Sequence, residues 1–105
     1  MSDKHWKTCE RRIAKLLGGR RVLVSGRARG DAPDIAHEHL AVEVKDRASP
    51  PKWLREAMQQ AEASATADQL PIVVLHQAGQ RYDESYVMLR LGAFVASGIW
   101  RKDMG

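Results

Sequence analysis

The sequence contains a single cysteine and lacks any apolar run long enough to cross a membrane. One cysteine excludes a disulfide within the chain, and Cys9 falls on the apolar side of a predicted helix, which favours packing over catalysis. A membrane-spanning helix needs about 20 consecutive apolar residues. The opening residues Met-Ser-Asp-Lys-His also lack the apolar segment of a signal peptide. The sequence therefore predicts a cytoplasmic protein that does not enter a membrane.

The four histidines lack the paired spacing of a zinc site. His37 and His39 flank a predicted turn, whereas His5 and His76 stand alone in the sequence. A His-x-His pair can bind a metal, but a polar turn between two strands is the more common setting for it. We therefore expect His37 and His39 to belong to a turn.

The chain is short and basic. Its 105 residues are 44% hydrophobic, which predicts a single domain, residues 1 to 105, with one modest core. Seventeen lysines and arginines against thirteen acids give a net charge of +4. This balance favours a polyanionic partner such as nucleic acid, although an ordinary solvated basic surface has the same composition.

Residues 40 to 46 alternate between apolar and polar side chains, which predicts a strand. Its apolar residues face one side, whereas Glu43 and Lys45 face the other. A second predicted strand, residues 34 to 37, precedes it across a short turn and brings Asp34 within reach. Carboxylate oxygens are ligands for Mg²⁺, and a bound cation beside an ammonium group suits phosphodiester hydrolysis.

This arrangement resembles the PD-(D/E)XK nuclease superfamily, in which an Asp, then a Glu or Asp, one spacer and a Lys form the metal site. Within that superfamily, the chain is most similar to the small Holliday junction resolvases of archaea and some phages. The resemblance covers residues 5 to 76. It is carried, in order, by Cys9-Glu10-Arg11-Arg12, by the turn and strand at 18–24, by Pro33-Asp34-Ile35 and by Glu43-Val44-Lys45. These resolvases often carry a serine in the loop before the Asp, but residues 27–32 have none.

The resemblance implies an α/β fold with a restriction-endonuclease-like core. In such a core a mixed central β-sheet is flanked by helices, here in the order α-β-β-β-α-β-β. It also implies a Mg²⁺-dependent DNA endonuclease, with Mn²⁺ as a substitute metal and a four-way junction as the branched DNA substrate. A homodimer follows, since two sites related by a two-fold axis can cut opposing strands. In a phage-encoded protein, the compartment would be the host cytoplasm.

The resemblance assigns a role to each site residue. Asp34, Glu43 and the backbone carbonyl of Val44 would hold the metal, while Lys45 would orient or activate the attacking water. Related nucleases carry a glutamine on the helix after the Glu-x-Lys strand. Gln60 matches this position, with a structural role at the helix rim as the alternative. Arginine suits bidentate contact with phosphate, and the arginines expected to bind DNA are Arg11, Arg12, Arg21, Arg27 and Arg29.

Glu10 lies on a predicted helix at residues 3 to 18, inside an apolar stripe. A carboxylate in that position costs free energy unless a metal or a basic partner compensates it. The resemblance favours the metal, which Glu10 would bind directly or through water. The alternatives are a pair with a basic residue and a side chain at the stripe edge that reaches solvent.

The remaining predictions concern the secondary structure along the chain and the dimer contact. Gly18-Gly19 ends the first helix, and Ser49 and Pro50 are the N-cap and first residue of a second helix, residues 51 to 66. The segment at 86–99 is the candidate dimer contact, and Trp100 joins it or packs against the first helix. The other predicted elements are a strand at 20–25, a loop at 26–32, a strand at 72–76 buried on both faces, a turn at 77–84, a strand at 86–90, a helix at 92–98 and a frayed tail at 99–105.

Two other functions remain open. A different nuclease of the same superfamily, acting on ordinary duplex or flap DNA, would share every residue named above. A non-enzymatic DNA-binding protein would also be basic, and its Glu43 and Lys45 would then form only an exposed charged strand face.

Overall fold

The computed structural model describes residues 5–22 and 34–101, which form a mixed α/β structure, as predicted. In this part of the chain, the strands form two small antiparallel sheets of two strands each. The residues group into two units, of which the second is Ala48–Ser97 and the first holds the rest. The single domain, the mixed sheet and the endonuclease-like core stay predictions. None of the helices in the described ranges is long and apolar enough to span a membrane.

Helix α1, His5–Leu17, ends where the sequence predicts. Gly18 has a φ of 75°, a left-handed conformation that glycine adopts without the steric cost of a side chain. Its N–H donates to the Lys15 carbonyl at 3.3 Å, and the Gly19 N–H donates to the Ala14 carbonyl at 2.9 Å. These are the two hydrogen bonds of a Schellman motif. The predicted Gly18-Gly19 stop is therefore confirmed.

Strand β1, Arg20–Arg21, pairs antiparallel with strand β2, Ile35–Ala36. The turn before β1 brings Gly19 against the β2 backbone. A β-carbon placed on Gly19 would stand 2.5 Å from the Ala36 carbonyl oxygen and 2.9 Å from a methyl group of Ile35. Glycine is therefore needed at this position because a side chain would push β2 away from α1.

Gly19→Ala should destabilise the first unit by roughly 1–3 kcal/mol, because an added methyl group in a packed site forces the neighbours apart. Urea unfolding followed by circular dichroism measures the change. Gly92→Ala is the matched control: it lies on a helix with nothing within 4 Å of the new methyl group, and should be neutral or stabilising. Equal stability of Gly19→Ala and wild type would contradict the close approach.

The other edge of β2 faces the Glu-Val-Lys segment. Ile35, which is fully buried, forms an isolated antiparallel bridge with Val42. Along this segment Leu40, Val42 and Val44 are half-buried, while Ala41, Glu43 and Lys45 are exposed. The predicted alternation is confirmed. Regular strand pairing is confined to Val42, however, so the predicted strand at 40–46 is an extended segment with one bridge.

In the second unit, helix α2 spans Lys52–Ser64. The predicted N-cap at Ser49 is wrong, because the helix begins after Pro51, whose carbonyl accepts the N–H groups of Leu54 and Arg55. A proline disfavours the helical conformation in the residue before it, so Pro50 cannot begin the helix when Pro51 follows. Met58 is the most buried residue of α2, at 4% exposure.

Strands β3, Val73–Leu75, and β4, Tyr86–Met88, form the second antiparallel sheet. The prediction that the β3 region is buried on both faces is wrong, because Val74 and its partner Val87 are more than half exposed. Since α2 packs against this two-stranded sheet, one face is covered and the other is left to solvent. A 3₁₀ turn, Tyr82–Glu84, precedes β4, and helix α3, Leu91–Ser97, follows it.

Candidate functional site

Asp34 is buried and anchored by three backbone contacts. Its N–H donates to the Val42 carbonyl at 2.9 Å, and its own carbonyl accepts the Val22 N–H at 3.0 Å. Its carboxylate Oδ2 accepts the Val44 N–H at 2.6 Å. A side chain thus takes the place of a backbone acceptor at Val44, which explains why regular strand pairing stops at Val42. The Asp34 carboxylate consequently lies beside the Glu-Val-Lys segment.

Glu43 and Lys45 lie on the exposed face of that segment. Their side chains are 63% and 69% exposed, and Lys45 Nζ stands 3.9 Å from Glu43 Oε2. An exposed ion pair of this kind adds little to stability. Both groups are therefore reachable from solvent. The same exposure also fits an ordinary charged strand face.

The carbonyl of Val44 is the third predicted metal ligand. In an extended chain the N–H and C=O of one residue point to the same edge. Because the Val44 N–H is bonded to Asp34, we expect the Val44 carbonyl to lie on the Asp34 side as well. Two carboxylates and one carbonyl are the hard oxygen donors that Mg²⁺ takes.

In the described ranges, no three His, Cys, Asp or Glu side chains group together as metal ligands. Mg²⁺ does not require such a group, since it usually keeps several waters and binds one or two carboxylates plus the phosphates of a substrate. Asp34, Glu43 and the Val44 carbonyl are oxygen donors of the type that Mg²⁺ takes, so binding of this cation at the segment stays a prediction.

Glu10 has a basic partner. Its Oε1 accepts a hydrogen bond from Arg21 Nε at 2.7 Å, and the two side chains are only 7% and 13% exposed. The Arg21 guanidinium also lies 5.3 Å from the centre of the Trp6 ring, one helical turn before Glu10. The structure thus shows the compensating pair that was the alternative to a metal. With its side chain so little exposed, Arg21 also offers little surface to a phosphate.

Cys9 is half-buried, and its thiol is free. Burial raises the pKa of its thiol, and the nearby carboxylates of Asp46 and Glu10 raise it further. A thiol whose pKa is raised stays protonated at neutral pH and is a poor nucleophile. The raised pKa therefore supports the sequence interpretation that Cys9 packs and does not catalyse.

His37 closes the turn between β2 and the Glu-Val-Lys segment. Its Nδ1 accepts the backbone N–H groups of His39 and Leu40, at 3.0 and 3.2 Å. Nε2 must then carry the proton that it donates to the Leu17 carbonyl, 2.8 Å away. The predicted polar turn is confirmed, and one ring links it to the end of α1. Sequence reasoning missed this link because Leu17 is twenty residues away in the chain.

Trp100 is not part of a frayed tail. Its ring meets the His37 ring edge-on, with 5.0 Å between centroids, and lies 6.1 Å from the His39 ring. The prediction of fraying from residue 99 is therefore wrong at Trp100, since these ring contacts hold it. These ring contacts are with the histidine turn, so the two predicted alternatives for Trp100, the first helix and the segment at 86–99, stay predictions.

A basic groove lies between α1 and β1. Its volume is about 510 Å³, and Arg11, Ala14, Lys15, Gly19, Arg20 and Arg21 line it. Arg11, Lys15 and Arg20 are exposed, so three basic side chains of the groove can be reached from solvent. Clustered cations of this kind attract the DNA backbone. Lys15 was not among the residues predicted from the sequence to bind DNA, although it follows Arg11 by four residues and therefore shares its helix face.

The other predicted site residues have less structural support. Arg12 is exposed on α1 but does not line the basic groove. Arg27 and Arg29 lie outside the described residues. Gln60 is exposed on α2, in the second unit. Its role in positioning phosphate or water stays a prediction.

No protein-family model matches this chain, and no curated protein or solved structure matches it either. The resemblance to PD-(D/E)XK nucleases therefore depends on the residues themselves. Of these residues, Asp34 and Val44 are joined by a hydrogen bond.

Proposed function

We propose that the protein hydrolyses DNA phosphodiester bonds with the help of Mg²⁺. The observation that carries the proposal is the 2.6 Å hydrogen bond from the Val44 N–H to Asp34 Oδ2. It holds a buried carboxylate next to the backbone of the Glu-Val-Lys segment, and the order of Asp followed by Glu-x-Lys is the one that the resemblance to PD-(D/E)XK nucleases implies.

The residues would act as follows. Asp34, Glu43 and the Val44 carbonyl bind the cation, which when bound polarises the phosphate and lowers the pKa of its water. Lys45 stands beside Glu43 and orients the attacking water or stabilises negative charge on the phosphate. Glu10 contributes to the metal site only through water in this scheme, because Arg21 occupies its Oε1.

The basic groove would hold the DNA backbone. Arg11, Lys15 and Arg20 supply its exposed charge, and Arg12 adds charge on the same helix. Arg27 and Arg29 remain proposed contacts. Lys15 replaces Arg21 in the proposed DNA-binding set because the Arg21 side chain is largely buried against Glu10.

The four-way junction, the homodimer and the restriction-endonuclease-like core are the most specific parts of the proposal. They follow from the resemblance to Holliday junction resolvases. The segment at 86–99 remains the proposed dimer contact, and the exposed Tyr86 and Val87 at its start offer apolar surface to a second copy.

A non-enzymatic DNA-binding protein is the second candidate function. The pairing of the acids favours it: Glu10 is bound to Arg21, and Glu43 lies 3.9 Å from Lys45. If these pairs are only structural, the basic groove would still bind DNA.

One experiment separates the candidates. Purified protein and Mg²⁺ are incubated with a four-way junction, a matched linear duplex and a flap, and the products are separated on a denaturing gel. The proposal predicts symmetric cleavage of the junction and little cleavage of the duplex. Cleavage of the flap or duplex alone would indicate another nuclease, and binding without cleavage would indicate the non-enzymatic protein.

Lys45→Ala should lower the rate of junction cleavage by about 10²-fold or more, because a charge next to the reacting phosphate is lost. Affinity for Mg²⁺ should stay similar or rise slightly, since a positive charge near the cation is removed. Single-turnover rates across a Mg²⁺ titration give both quantities. Arg47→Ala removes the same charge two residues away and serves as the control. A large loss of metal affinity with an unchanged rate at saturating Mg²⁺ would contradict the role of Lys45.

A further inference from the structure

A smaller cavity lies wholly within the second unit. Its volume is about 280 Å³, and it is formed between the first half of α2 and the end of β4. Leu54, Met58 and Met88 supply apolar walls, while Arg55 and Gln59 stand at the rim. Ligand sites typically have about 300–1,000 Å³, so this cavity has room for one small group only.

The charge at the rim comes from one arginine. Arg90 also lines the cavity, but Glu62 binds it through two hydrogen bonds of 2.8 and 3.2 Å, which raise the pKa of Arg90 and neutralise its charge locally. Arg55 is exposed and, within the part of the chain that the structure describes, makes no ion pair. The cavity therefore combines an apolar interior with one uncompensated positive charge.

Gln59 adds a polar group that can both donate and accept hydrogen bonds. Its side chain is exposed and makes no hydrogen bond to another described residue. A carboxamide offers donors on its nitrogen and an acceptor on its oxygen, as the edge of a nucleobase does. A phosphodiester carries one negative charge, which matches the single free guanidinium of Arg55.

We propose that this cavity binds one unpaired nucleotide of the DNA substrate. The base lies against Leu54, Met58 and Met88, its edge pairs with Gln59, and its phosphate contacts Arg55. A base inside a duplex cannot enter, because its faces are stacked and its edge is paired. The cavity would therefore make the protein prefer DNA in which at least one nucleotide is unpaired. The inference depends on the proposed function only in that the ligand is DNA.

The test compares two duplexes of equal length in EDTA, where no cleavage occurs. One is fully paired, and the other carries a single unpaired 2-aminopurine nucleotide. The full-length protein should bind the second about tenfold more tightly. The fluorescence of 2-aminopurine should rise on binding, because the base leaves the DNA stack.

Variants assign the preference to the cavity. Arg55→Ala and Gln59→Ala should each lower the preference to less than about threefold while the affinity for the paired duplex changes little. Lys52→Ala is the control, since it removes the same charge from the same helix but does not line the cavity. That variant should keep the full preference.

Three results would overturn the inference: equal binding of the two duplexes by wild type, equal effects of Arg55→Ala and Lys52→Ala, or saturable binding of decanoate without any preference between the duplexes. The last would assign the cavity to an aliphatic carboxylate. If the paired duplex is bound and the junction is cleaved while no preference is seen, only the nucleotide site fails. If neither duplex is bound, DNA as the partner fails with it.

Discussion

Asp34→Asn should abolish cleavage of a four-way junction while leaving its affinity for the junction close to that of wild type. The asparagine keeps a side-chain oxygen that can accept the Val44 N–H, so the hairpin stays in place. What it loses is the negative charge that we propose binds the cation, and the proposed DNA-binding surface is unchanged. We expect a loss of at least about 10²-fold in the single-turnover rate. Junction affinity is measured separately in Ca²⁺ or EDTA.

Variants of two further carboxylates test whether the loss of cleavage is specific to the proposed metal ligands. Glu43→Gln should have the same effect as Asp34→Asn, because both are assigned to the same cation. Glu38→Gln is the control: Glu38 lies in the same hairpin with its side chain 86% exposed, and its Oε2 is 3.9 Å from His39 Nε2. It should retain full activity. Near-normal cleavage by either Asp34→Asn or Glu43→Gln would remove the metal site from the proposal.

Glu10→Ala should destabilise the folded protein by roughly 3–5 kcal/mol, because it leaves the largely buried Arg21 without its carboxylate. The change is measured by urea unfolding in EDTA, where metal binding makes no contribution. If Glu10 were mainly a metal ligand in an apolar environment, its removal would leave the metal-free protein as stable as wild type. The two roles therefore predict different stabilities.

A double variant provides the control. Glu10→Met combined with Arg21→Met replaces the ion pair with apolar side chains and should be more stable than Glu10→Ala alone. Glu56→Ala removes an exposed acid from α2 and should change stability by less than about 0.5 kcal/mol. A metal-free Glu10→Ala protein as stable as wild type would contradict the structural role of the pair.

The sequence predicted the features that depend on local pattern. Gly18-Gly19 could be predicted to end α1 because the left-handed conformation and the closing hydrogen bonds involve only residues of the last helical turn. The alternation of apolar and polar residues from 40 to 45 predicted which side chains are exposed, and it predicted that Glu43 and Lys45 lie on the same exposed face. Both predictions needed only neighbouring residues.

The features that the sequence did not predict depend on contacts between distant residues. Glu10 was recognised as needing compensation, but only packing selects Arg21 as its partner. His37 bonds to Leu17, and Trp100 meets two histidine rings more than sixty residues earlier. Val74 was expected to be buried because its segment is apolar. Val74 is exposed because α2 packs on only one face of the two-stranded sheet in the second unit.

The most direct test of the metal-dependent nuclease is a time course of junction cleavage by wild type and Asp34→Asn, with Mg²⁺ and with EDTA. We predict that wild type cleaves in Mg²⁺ and is inactive in EDTA, that activity returns when Mg²⁺ is restored, and that Asp34→Asn is inactive throughout. Tight junction binding by wild type with no cleavage in Mg²⁺ or Mn²⁺, or equal cleavage by Asp34→Asn, would contradict the account.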